Sequence, residues 1–109
     1  MTTFLYVFGF ETPQQSRCNV IYGWEDENTE AVLIDADDEA SALLWGDEIA
    51  ERFIKLLFRD DQVSWRDQQF ARWIEPPTPE WTCQQHVSFG VFPDFTAWLP
   101  PYKDDMSQH

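Results

Sequence analysis

Residues 3–11 read TFLYVFGFE, and this stretch limits the fold more than any other. Phe4, Tyr6, Phe8 and Phe10 alternate with Leu5, Val7 and Gly9. Aromatic and β-branched residues with period two specify a strand. Neither face is polar, so the strand belongs inside a sheet with something packed on both sides. A chain of 109 residues fits a single domain. Its nine Phe, six Trp and three Tyr give a small core a large area per side chain.

The residues after it predict a meander. Thr12 to Ser16 reads as a loop, because Pro13 has no N–H to donate to a strand. Arg17 to Trp24 alternates again, with Cys18, Val20, Tyr22 and Trp24 on one face. Glu25 to Glu30 reads as a turn, and Ala31 to Ala36 as a third, short strand. Short connections favour antiparallel pairing.

A long helix is predicted from about Asp38 to Phe58, with Asp37 or Asp38 as its N-cap. Leu43, Gly46, Ala50, Phe53, Ile54 and Leu57 form its apolar stripe. Gly46 and Ala50 are small enough to let the axis approach the sheet closely. Glu48, Glu51, Arg52, Lys55 and Arg59 fall on the far side, with Glu48–Arg52 and Glu51–Lys55 at i,i+4 spacing. Further strands are predicted at Gln69–Glu75 and Trp81–Phe92, separated by a proline-rich loop. Asp94 should cap a helical turn reaching Leu99.

The expected fold is therefore α+β: an antiparallel sheet of about five strands, order β-β-β-α-β-β, with one long helix on one face in a two-layer sandwich. Residues 1–101 make one domain and 102–109 a polar tail. One helix covers one face only. The second face then falls to the C-terminal segment, through Phe92, Phe95, Trp98 and Leu99, or to a second copy of the chain or another partner.

Twenty Asp and Glu against seven Lys and Arg leave a formal net charge of −13. That argues against nucleic acid and against an anionic membrane surface, and it favours a basic protein partner. The start lacks a basic segment and no run has the length of a membrane span, so a cytoplasmic location is expected. Cys18 and Cys83 are then reduced core residues.

Trp24 to Phe53 holds eleven of the acids. Asp35, Asp37 and Glu39 have the spacing that opens an EF-hand loop. However, Ala40 stands where the sharp turn needs Gly, and Gly46 where the bidentate Glu belongs. Cys83-Gln84-Gln85-His86 offers one Cys-x-x-His pair, short of a zinc set. No phosphate loop, dinucleotide fingerprint or Gly-x-Ser-x-Gly is present. No catalytic residue, metal or cofactor is therefore assigned.

Two residues stand out on the helix. Asp47 lies at the rim of the apolar stripe, where a carboxylate needs a partner or a shifted pKa. Trp45 falls on the outer half of the wheel, and exposed Trp is enriched at interfaces. The favoured reading is a small acidic, non-enzymatic binding protein of the inhibitor, immunity or DNA-mimic kind. Its partner-binding residues would be Glu25, Asp26, Glu27, Glu30, Trp45 and Asp47. Two alternatives remain. One is a small-molecule binder or enzyme around Asp47, Glu51 and the aromatic sheet face, which requires a pocket there. The other is a self-associating module closed by homodimerisation.

Overall fold

The computed structural model describes residues 2–23, 27–68, 70–77 and 85–98. It is an α+β fold with one mixed four-stranded sheet and two α-helices. The central strand β1 (Thr2–Phe10) runs antiparallel to β2 (Asn28–Ala36), with Thr2 opposite Ala36 and Phe10 opposite Asn28. On its other side β1 pairs antiparallel with β3 (Arg72–Glu75). The sheet order is β3-β1-β2-β4.

Three expectations are corrected. The first concerns residues 13–22. They form a helix, α1 (Pro13–Tyr22), where a loop and a strand were predicted. The Thr12 hydroxyl accepts the Gln15 N–H at 3.1 Å, and the Gln15 side chain accepts the Thr12 N–H at 3.0 Å. This reciprocal capping box satisfies two helix-end donors. Pro13 at the first turn brings a preset φ and lacks only an N–H that would be unpaired there. Gly23, at φ 72°, closes the helix in the left-handed conformation. These end signals outweigh the period-two pattern of Cys18, Val20 and Tyr22. No residue of α1 is buried, and Val20, Ile21 and Tyr22 are 83%, 67% and 62% exposed. Cys18 is a free thiol, half-buried rather than in the core.

The second correction is the sheet itself. The described part of the predicted last strand is short: β4 spans His86–Ser88, and the chain turns after it at Gly90, whose φ is 92°. It runs parallel to β2, with Ile34 beside Val87. A parallel neighbour needs a long crossover. Residues 37–85 provide one, carrying α2 and β3 between the two strands. The sheet is thus mixed and four-stranded, not an antiparallel sheet of five. β2 also begins at Asn28, so Asn28 to Glu30 belong to the strand and not to the turn.

Helix α2 (Glu39–Phe58) agrees closely with its sequence signals. Asp38 is the N-cap, accepting the Ser41 N–H at 2.8 Å, which holds its carboxyl below the usual range. Ala42, Gly46, Ile49, Ala50, Phe53 and Ile54 are buried, while Leu43 and Leu57 at the stripe's edge are half-buried.

The core lies between α2 and the even-numbered face of β1. Tyr6, Phe8 and Phe10 meet Val32, Ile34, Ala36 and the buried stripe of α2. Phe53 stands edge-on to Phe10, with centroids 5.0 Å apart and planes at 86°. Trp65 is edge-on to Phe8 at 6.0 Å, and its indole N–H donates to the Gly9 carbonyl at 2.8 Å. Edge-to-face pairs add to simple area burial.

The third correction concerns the C-terminal segment. Its aromatics join α2 rather than the opposite face: Trp98 packs on Phe8 and Phe53, and Phe95 stacks on Phe53. On the opposite face Leu5, Val7 and Ala31 are buried and cluster with Leu33. That apolar centre is out of water within a single chain. Leu99, residues 78–84 and the tail 102–109 lie outside the described residues.

Candidate partner-binding surface

The six residues singled out from the sequence fall in different places. Glu25 and Asp26 lie outside the described residues. Glu27 is exposed, and its carboxylate lies over Gly9: a Cβ on that glycine would be 2.8 Å from Oε1. Glu30 is half-buried on the core side, directly opposite Phe8 in the β1–β2 register. Burial pushes its carboxyl above the usual range, and a 3.2 Å bond from the Ala31 N–H only partly offsets that.

Asp47 is the best-partnered of the six. Its side chain is 14% exposed. Oδ1 accepts from the Tyr6 hydroxyl at 2.8 Å and from Arg72 Nε at 2.9 Å, and Oδ2 accepts from Arg72 Nη2 at 3.3 Å. The helix rim, the central strand and the edge strand thus meet at one carboxylate. Burial, and then the Asp47 charge, push the Tyr6 phenol far above its ordinary value. Asp47 in turn raises Arg72 through its hydrogen bonds. Arg72 is the partner the sequence did not reveal, being 25 residues away on another element.

Trp45 anchors a surface cluster. Its indole N–H donates to the Val91 carbonyl at 2.8 Å. Phe89 and Phe92 pack on it, with centroids at 5.6 and 4.8 Å. Trp45 itself is half-buried; its covering residues face solvent, with Phe89 50%, Val91 53% and Phe92 36% exposed. Arg52, predicted to pair with Glu48, instead lies 4.9 Å over the Phe92 ring. Glu48 holds Arg66 at 3.0 Å. Charges of both signs lie beside Phe92: Glu48, Glu51 and Asp61 with Arg52 and Lys55. The Phe89 N–H donates to the Asp35 carbonyl at 2.9 Å, and the chain continues from there into Asp37, Asp38 and Glu39, all exposed. Trp45 is seven residues beyond Asp38, on the same side of the helix. The period-two reading of residues 81–92 hid this patch, because Gly90 turns the chain there.

Two further carboxylates, Asp35 and Glu51, are tied to neighbouring side chains. His86 Nε2 lies 2.7 Å from Asp35 Oδ1, and the Thr3 hydroxyl donates to the same oxygen. These bonds lower the Asp35 carboxyl. Glu51, the second carboxylate weighed for chemistry, is raised by burial but lowered more by Lys55, Ser64 and the Arg66 N–H, so it stays ionised. A cleft of about 420 Å³ opens between Asp47, Trp65, Arg66, Phe70 and Arg72, and another of about 410 Å³ lies beside Glu48, Glu51, Arg52, Lys55 and Phe92. Among the described residues no group of three His, Cys, Asp or Glu is placed to hold a metal ion, and no helix is long and apolar enough to cross a membrane. Cys83 lies outside the described residues.

Comparison with protein-family models, curated proteins and solved structures finds no match to this chain.

Proposed function

We propose that this chain is a small acidic, non-enzymatic binding protein that engages a basic surface on another protein. The observation that carries the reading is the exposed apolar patch of Phe89, Val91 and Phe92 on Trp45, bonded through the Phe89 N–H to Asp35, after which the chain runs through the exposed acids Asp37, Asp38 and Glu39. A centre of aromatic anchors with a charged rim is the anatomy of a protein interface. With Arg52 on Phe92 and Lys55 close by, the near rim is mixed in sign, so the preference for a basic partner rests on the net charge of −13, which steers its approach. Glu25, Asp26 and Glu27 add to that field. Asp47 and Glu30 contribute less, because one is neutralised by Arg72 and the other is half-buried.

The test is capture from the native lysate, repeated at high salt and with two variants. Phe89→Ala with Phe92→Ala removes the anchors, and Asp37→Asn with Glu39→Gln removes rim charge while sparing the Asp38 cap. A basic partner should be lost with the first pair, and should associate more slowly with the second pair and in high salt. A captured partner indifferent to both variants and to salt would overturn the reading. A second copy of the chain is the competing occupant, and light scattering of the purified protein would show it as a doubled mass.

A further inference from the structure

Helix α1 is turned inside out. Gln15, Ser16 and Asn19 lie on its inner side and are half-buried. Gln15 Nε2 donates to Asn28 Oδ1 at 3.0 Å, and Asn19 Nδ2 donates to Glu11 Oε2 at 2.7 Å. Ser16 lines a small cavity with Ile54, Phe58, Val63 and Phe70. Gln14, Arg17 and Ile21 share the outer side at helical spacing, with Val20 beside them, and all four are exposed. A surface helix ordinarily turns its apolar residues to the core and its polar ones to water. Here the polar side is the one held to the body, which leaves Val20 and Ile21 for another surface.

Charge selects that surface. Between Glu11 and Glu25 there is no acid, and Arg17 is the one charged residue. A basic partner gains nothing from a face that presents an arginine and no carboxylate. An anionic lipid surface is opposed by the net charge of −13. Two copies of the chain repel each other through their acids, and this face holds none of them. The face is also self-complementary. Laid antiparallel across a two-fold axis at Val20 and Ile21, two α1 helices bring these residues onto their counterparts. Arg17 of each copy, one turn earlier, then meets the C-terminal turn of the other α1. That turn is the negative end of the helix dipole and carries no basic side chain of its own.

We propose that the outer face of α1 is a self-association surface, through which two copies of this chain form a weak two-fold dimer. The dimer is weak because one face of a ten-residue helix supplies less than the roughly 800 Å² per partner of a stable interface. The surface is separate from the Trp45 patch, so it stands or falls independently of the protein-binding reading.

The test is sedimentation equilibrium of the full chain from about 10 μM to about 1 mM, with NMR of the Val20 and Ile21 methyl groups over the same range. The average mass should rise toward twice that of the chain, and those methyl signals should move with it. Salt should tighten the dimer by screening like charges, whereas it loosens a complex with a basic partner. Val20→Gln with Ile21→Gln should weaken the dimer at least about tenfold, because each copy loses buried apolar area. Glutamine is a good helix former, so α1 itself is preserved. Phe89→Ala with Phe92→Ala should leave the dimer unchanged, which separates this surface from the Trp45 patch. A monomer at about 1 mM, a dimer loosened by salt, or a glutamine variant that dimerises as tightly as the parent would each overturn the α1 surface.

Discussion

Gly46 of α2 lies against the ring of Tyr6 on the central strand, and a Cβ on that glycine would fall 2.2 Å from Cδ1. The ring cannot yield easily, since Tyr6 is fully buried and its hydroxyl is tied to Asp47. Helix propensity favours alanine at an interior position by about 1 kcal/mol, but overpacking a core costs about 1–3 kcal/mol. Gly46→Ala should therefore destabilise the fold, by up to about 2 kcal/mol net. Urea unfolding measures it, and a stabilised variant would contradict the close approach.

Tyr6→Phe removes one donor from Asp47 and leaves Arg72 in place. The expected loss is about 1.5–3 kcal/mol, the range for a hydrogen bond to a charged group. Because the phenol is held far above its ordinary value, the loss should stay constant from neutral pH up to about pH 9. A cycle with Asp47→Asn should show the two residues coupled; additive losses would mean the bond contributes nothing.

Glu30 should oppose folding at neutral pH. Its folded pKa is raised by burial, so the folded state binds the proton more tightly than the unfolded chain. Stability is then greatest below the unfolded carboxyl value of about 4.3, and it falls as pH rises through the folded value. Glu30→Gln should raise the urea midpoint at pH 7 and leave it nearly unchanged near pH 4. A lower midpoint at pH 7 would show that the carboxylate has a partner it needs.

Asp35 has the opposite sign. Its folded pKa is lowered by bonds from His86 and Thr3, so its contribution is present above the unfolded value and is lost as pH falls through the folded one. His86→Ala should shift acid unfolding to higher pH. The effect should be small, because the His86 and Asp35 side chains are 50% and 30% exposed. An unmoved acid transition would show that this ion pair does not hold β4.

Helix α1 depends on its ends, because it buries no residue. At ten residues it is shorter than an isolated helix needs to be stable in water. Thr12→Ala should cost α1 about 1 kcal/mol and speed amide exchange across residues 16–22. The midpoint of global unfolding should barely move. A matching drop in global stability would show that α1 is packed more firmly than its exposure indicates.

Sequence alone determined the elements whose signals are local. The two-faced apolar pattern placed β1 at the centre of the sheet, and Asp38 and the 3.6-residue stripe bounded α2 nearly to the residue. It also marked Gly46 as a close-approach residue and Asp47 as a carboxylate in need of a partner. The ends of α1 were equally local, in Thr12, Pro13, Gln15 and Gly23. A period-two pattern that the folded chain does not use masks them. Tertiary structure decided the rest. It paired Asp47 with Arg72, set β4 parallel to β2, and brought Phe89 and Phe92 onto Trp45. Each of these joins residues more than twenty apart. Periodicity records which side of an element avoids water, but it carries no information about which distant element covers that side.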